Sequence, residues 1–126
     1  MKFLHVMIRV KDINKSLKFY QDLFDMNLVN EMELEDSKLY FLSDEDGQTQ
    51  IELTYNFDTP KNGYINGDAF GHFAFSIKNM DKFEEKMNKF GINWFVKPFI
   101  LKNYDMKIAF LKDPDGNEIE LIEEYK

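Results

Sequence analysis

Alternating apolar and polar positions open the chain. From Phe3 to Val10, Val6, Ile8 and Val10 point one way and His5, Met7 and Arg9 the other, the period of two that a half-buried strand requires. The period then lengthens. Behind Asp12, a good N-cap residue, Ile13, Leu17, Tyr20, Leu23 and Phe24 recur at helical spacing and form an apolar stripe. Phe19 lies off that stripe and is expected to pack on a partner. Strand-like runs follow at Asn27 to Glu33, Leu39 to Ser43 and Thr49 to Asn56, so this part of the chain reads as one strand, one helix and three more strands.

Residues 57–70 break the periodicity. Pro60, Gly63, Asn66 and Gly67 among polar residues predict a linker or lid, with the module boundary inside it. The opening pattern then returns. His72, Ala74 and Ser76 alternate with Phe73, Phe75 and Ile77, and Asn79 caps a second helix whose stripe is Met80, Phe83, Met87 and Phe90. Gly91 suits the position after the helix, Ile92 to Val96 resumes strand character, and Pro98 to Tyr104 reads as a loop.

The last hairpin, KIAFLKDPDGNEIELIEE (Lys107 to Glu124), has a near copy in LYFLSDEDGQTQIELTYN (Leu39 to Asn56). Each copy turns at an Asp-x-Asp-Gly tetrad, Asp113-Pro114-Asp115-Gly116 or its copy Asp44-Glu45-Asp46-Gly47, where Gly accepts the positive φ that closes a hairpin. Each then continues Ile-Glu-Leu. The glutamates, Glu52 and Glu120, therefore point away from the face that their apolar neighbours bury. The fold class is α+β: one domain over 1–126, made of a βαβββ module at 1–56, linker 57–70 and a second βαβββ module at 71–126. Each sheet is expected to cover its own helix with its apolar face and to turn its His and Glu face toward a cleft.

Composition narrows the chemistry. With 16 basic against 23 acidic residues, the net charge of −7 repels phosphate backbones and anionic membranes, so nucleic-acid and membrane partners are disfavoured. There is no cysteine, which excludes disulfides, thiolate metal sites and Cys nucleophiles. Any metal ligand must be His or carboxylate. No apolar run approaches the ~18 residues of a membrane span, and the N-terminal residues start a strand rather than a signal peptide, so a cytoplasmic location is expected.

The chain has two histidines, and both occupy the first strand of a module on the face away from the helix. A single strand histidine is most often a satisfied polar residue, and a glutamate in Ile-Glu-Leu is usually just solvated. Four such residues in register across a repeat point instead to a divalent metal: His5 and His72 offer nitrogen, Glu52 and Glu120 carboxylate oxygen. The Asp-Pro-Asp-Gly tetrad lacks the other ligands of a calcium loop and is read as a turn.

LHVMIRV (Leu4 to Val10), IELTYN (Ile51 to Asn56), GHFAFS (Gly71 to Ser76) and IAFLKDPDGNEIELIEE (Ile108 to Glu124) resemble glyoxalase I, the lactoylglutathione lyases of the vicinal oxygen chelate superfamily. The resemblance spans essentially the whole chain. It implies the paired βαβββ fold, His5, Glu52, His72 and Glu120 as the four metal ligands, and a homodimer with the site between subunits; a repeat can equally close its cleft within one chain.

The implied reaction is isomerisation of the methylglyoxal–glutathione hemithioacetal to S-D-lactoylglutathione, a detoxification of methylglyoxal. Glu120 is the implied base, and Glu52 the ligand that serves the opposite substrate stereoisomer. Arg9, Asn56 and Lys102 match positions that bind the glutathione part of the substrate. Length and insertions resemble the short bacterial branch, which favours nickel or cobalt, with zinc as the alternative. Asp68 departs from the pattern, standing where longer relatives carry a basic residue, and leaves the thiol open between glutathione and another small thiol. Two other readings stand beside this one: a different vicinal oxygen chelate enzyme, either a thiol transferase or an extradiol dioxygenase, and a metal-free dimer that binds antibiotics.

Overall fold

In the computed structural model, which describes residues 1–124, the period-two and period-3.6 segments fold twice into the same arrangement. The chain divides into two compact units, Met1–Ile65 and the part from Asn66 onward.

The first unit contains β1 (His5–Arg9), α1 (Ile13–Lys18), a π-helical turn (Phe19–Leu23), β2 (Asn27–Glu33), β3 (Ser37–Ser43) and β4 (Gln50–Asn56). Its sheet has the order β1-β4-β3-β2, with β1 parallel to β4 and the other pairs antiparallel. The second unit contains β5 (His72–Ser76), α2 (Met80–Lys89), β6 (Val96–Leu101), β7 (Met106–Lys112) and β8 (Glu118–Glu124), and its sheet order, β5-β8-β7-β6, repeats the first. In each sheet the module's first strand thus lies beside its last. That adjacency brings the histidine and the glutamate of each module together.

One face of each sheet forms the core of its unit. In the first, Ile8, Leu42, Ile51 and Leu53 are buried, and so are Phe19, Tyr20 and Leu23 from the helix. In the second, Ala109, Leu111, Ile119 and Leu121 are buried on the sheet and Met80 and Met87 on α2. Each fully buried aliphatic side chain stabilises its unit by about 1.5–3 kcal/mol. Both predicted caps are present: Asp12 accepts from the Lys15 N–H at 3.2 Å and Asn79 from the Lys82 N–H at 2.9 Å. The Met80 N–H also donates to the Glu123 carboxylate, tying the start of α2 to β8.

Three expectations need correction. Phe19 is 4 % exposed and packs beside Tyr20 and Phe24, so it does not wait for a partner. The inward stripe is Ser16, Phe19, Tyr20 and Leu23, an i, i+3, i+4, i+7 face rotated from the expected one, and the π-helical turn over Phe19–Leu23 lies within it. The strand after α2 spans Val96–Leu101, not Ile92 to Val96, and it absorbs most of the expected Pro98 to Tyr104 loop. Pro98 is tolerated because β6 is the edge strand and its register shifts between Val96 and Phe99. The first strand begins at His5, leaving Phe3 and Leu4 exposed before it.

The two hairpin turns keep their glycines at positive φ, +69° at Gly47 and +85° at Gly116. Their aspartates differ. Asp113 is buried and accepts from the Asp115 and Asn117 N–H groups and from the Asn117 side-chain amide, whose oxygen in turn accepts from Asn66. Asp44 keeps a buried Oδ1 with no partner among the described residues. Residues 57–70 form turns and bends without helix or strand, and no helix among the described residues is long and apolar enough to cross a membrane.

Candidate metal centre

Parallel pairing of β1 with β4 sets Met7 opposite Glu52 and Arg9 opposite Thr54. Alternation along both strands then puts His5, Met7 and Arg9 on the same face as Glu52, Thr54 and Asn56. On that face His5 Nε2 lies 3.1 Å from Glu52 Oε1. The second unit repeats the geometry, with Ala74 opposite Glu120 and His72 Nε2 3.1 Å from Glu120 Oε2.

A phenylalanine braces each pair. Phe41 lies opposite Glu52 and meets the His5 ring edge-on at 5.5 Å; Phe110 lies opposite Glu120 and meets His72 edge-on at 5.3 Å. Such contacts are favourable because an aromatic edge is positive and its face negative. They also restrict how each imidazole can turn.

The carboxylates are mostly withdrawn from water, with side-chain exposures of 11 % for Glu52 and 15 % for Glu120. A carboxylate is costly to bury unless its oxygens are bonded. For Glu52 both are: His5 meets Oε1, and the Thr54 hydroxyl donates to Oε2 at 2.6 Å. For Glu120 the partner among the described residues is His72.

The donor set fits a first-row divalent ion. Imidazole nitrogen and carboxylate oxygen are the ligands such ions accept when thiolate is absent. Two donors each about 2.1 Å from one ion stand roughly 3 Å apart when they are neighbours around it, which is the separation within each pair. Each unit brings together one nitrogen donor and one carboxylate. Among the described residues no three His, Asp or Glu side chains gather around one point.

Arg9 is exposed on the His5 and Glu52 face, one strand over from Thr54. Asn56 shares that face, but its amide donates to the Tyr64 hydroxyl at 2.9 Å, so it is already engaged with the linker. Lys102 belongs to the other unit, where it is exposed in the turn between β6 and β7. Trp94 is half-buried, tilted against Phe83 with ring centroids 6.1 Å apart and donating to the Glu84 carboxylate, while Phe95 is exposed beneath the Lys112 ammonium at 4.1 Å. Thr54, Phe41 and Phe110 were not singled out by the sequence pattern. The two phenylalanines carry a signal nonetheless, since each stands three residues before the aspartate of its copied turn.

Residues 2–121 match the Glyoxalase/Bleomycin resistance protein/Dioxygenase superfamily. The chain is 40% identical to a lactoylglutathione lyase of Haemophilus influenzae, over 98% of this chain and 93% of that protein. Among solved structures, glyoxalase I from Zea mays superposes with a TM-score of 0.86 at 32% identity, covering 99% of this chain and 45% of the maize chain, so this chain spans about half its length. The trypanothione-dependent glyoxalase I of Leishmania major superposes with a TM-score of 0.81 at 30% identity, covering 98% of this chain and 87% of that one.

Proposed function

The chain belongs to the Glyoxalase/Bleomycin resistance protein/Dioxygenase superfamily, and from that premise we propose that it is a lactoylglutathione lyase, converting the methylglyoxal–glutathione hemithioacetal to S-D-lactoylglutathione. The observation that carries this reading is the pair of matched His–Glu contacts, His5 with Glu52 and His72 with Glu120, each at 3.1 Å. The curated relative that covers nearly the same length bears the same activity in its name.

His5, Glu52, His72 and Glu120 hold one divalent ion per site. Each pair within a chain supplies half of the set, so the site is completed by bringing a first-unit pair and a second-unit pair together, in a homodimer with the site between subunits. When bound, the ion supplies Lewis-acid stabilisation for the negative charge that builds on the substrate oxygens as a carbon-bound proton leaves. Nickel or cobalt is favoured and zinc is the alternative.

Glu120 does the proton transfer. It removes the proton from the hemithioacetal carbon bonded to sulfur and returns a proton to the neighbouring carbonyl carbon, while the hydroxyl proton passes to the former carbonyl oxygen, so that the first carbon becomes the thioester carbonyl and the second carries the hydroxyl. Atoms are conserved and no external oxidant is needed. His5 and His72, turned by Phe41 and Phe110, hold their nitrogens toward the site, and Arg9, Asn56 and Lys102 meet the polar ends of the thiol. Asp68 disfavours a carboxylate near it, and the Leishmania relative's dependence on trypanothione is a precedent for a different thiol.

The test is thioester formation by metal-stripped protein to which nickel, cobalt or zinc is restored in parallel, with hemithioacetals of glutathione and of a second small thiol. Turnover that returns with one metal and one thiol is the expected result. Stoichiometric metal binding without turnover on any hemithioacetal would overturn the assigned reaction.

A further inference from the structure

Glu52 and Glu120 hold matched positions in the two sheets but not matched surroundings. Two residues beyond Glu52 on the same face of β4 stands Thr54, 6 % exposed, whose hydroxyl donates to Glu52 Oε2 at 2.6 Å. At the corresponding place in β8 stands Ile122, which has no side-chain hydrogen to donate. Glu52 is therefore held at both oxygens and Glu120, among the described residues, at one.

We propose that Thr54 is a positioning residue that locks Glu52 into the ligand role, and that Ile122, by withholding the same bond, leaves Glu120 as the carboxylate able to turn toward substrate. This rests on the metal-dependent reading given above. A hydroxyl bonded to a carboxylate at this distance forms a charge-assisted bond, stronger than a neutral one, and its burial removes the water that would otherwise replace it. Rotating the Glu52 carboxylate breaks that bond and leaves a buried oxygen unpaired. Rotating the Glu120 carboxylate breaks no such bond. Glu52 must give up Thr54 before it can take a proton from the opposite substrate stereoisomer, so the same contact biases the enzyme toward one of the two.

The alternative role for Thr54 is ordinary strand packing, for which a β-branched side chain is well suited. Three variants separate the two roles. T54V keeps the shape and removes the hydroxyl, T54S keeps the hydroxyl and removes a methyl group, and I122T offers Glu120 the bond it lacks. Each metal-stripped variant is titrated with Co2+ while its visible absorption is followed, and kcat, KM and the urea midpoint are measured separately.

T54V is expected to bind Co2+ about 10-fold or more weakly, as removal of an outer partner of a ligand typically does, with T54S staying within about 3-fold of the unaltered protein. I122T is expected to retain Co2+ affinity and to lose kcat with little change in KM. Equal Co2+ affinity in T54V and the unaltered protein, or equal losses in T54S and T54V, would overturn the positioning role of Thr54. An unchanged kcat in I122T would overturn the freedom assigned to Glu120, and I122T and T54S carry the test if T54V does not fold. Absence of Co2+ binding in the unaltered protein would instead remove the metal reading itself and the proposal with it.

Discussion

His72 stands with its Nε2 3.1 Å from Oε2 of Glu120, although the two residues come from the first and last strands of their unit. Parallel pairing of β5 with β8 makes those strands neighbours, and His5 and Glu52 meet at the same distance for the same reason in the first unit. Two nitrogen–oxygen pairs of one geometry, in a chain with only two histidines, are the basis for the functional assignment.

Replacing Glu120 by Gln removes the proposed base while keeping an oxygen near the site. Turnover is expected to fall by about 10²–10⁴-fold, with metal still measurable in the purified protein. A Glu120→Gln enzyme of near-normal rate would move the base elsewhere.

His72→Ala tests the proposed ligand set. With His72 in the proposed direct-ligand role, its removal should weaken Co2+ binding by more than the roughly 10–100-fold expected for an outer partner, and equilibrium dialysis of the metal-stripped protein measures it. An affinity equal to that of the unaltered protein would exclude His72 from the ligand set.

Phe19 tests the helix rather than the chemistry. It is 4 % exposed, beside Tyr20 at 4.9 Å and Phe24 at 5.2 Å, so Phe19→Ala is expected to cost about 3–5 kcal/mol in urea unfolding. The oligomeric state at concentrations where the variant is folded should not change. A stable variant with altered association would restore the partner contact that the sequence pattern suggested.

Asn117 is 3 % exposed and donates to the buried Asp113 carboxylate through both its backbone N–H and its side-chain amide. Asn117→Ala leaves Oδ2 of Asp113 without that side-chain donor, a loss of about 1–3 kcal/mol. Chemical denaturation reads it directly.

Much of the architecture was legible because it depends on local periodicity. Both caps, the hairpin glycines and the order of strands and helices follow from residues close in sequence. Two stretches misled for physical reasons. Pro98 looks like a loop residue unless one knows that its strand is an edge with a register shift, and Phe19 falls off the stripe read through Ile13 and Leu17, whereas the buried face runs through Ser16, a small polar residue that gives no apolar signal.

The sequence by itself determined which side chains share a face, because direction alternates along a strand whatever the strand is paired with. That was enough to name His5, Glu52, His72 and Glu120 as a candidate set. The tertiary structure decided what each of them touches. Contacts between strands depend on pairing register and rotamer, neither of which is encoded by periodicity, and so the edge-on phenylalanines beside the histidines, the amide of Asn56 held by Tyr64 and the hydroxyl of Thr54 on one glutamate but not the other emerge only once the chain is folded.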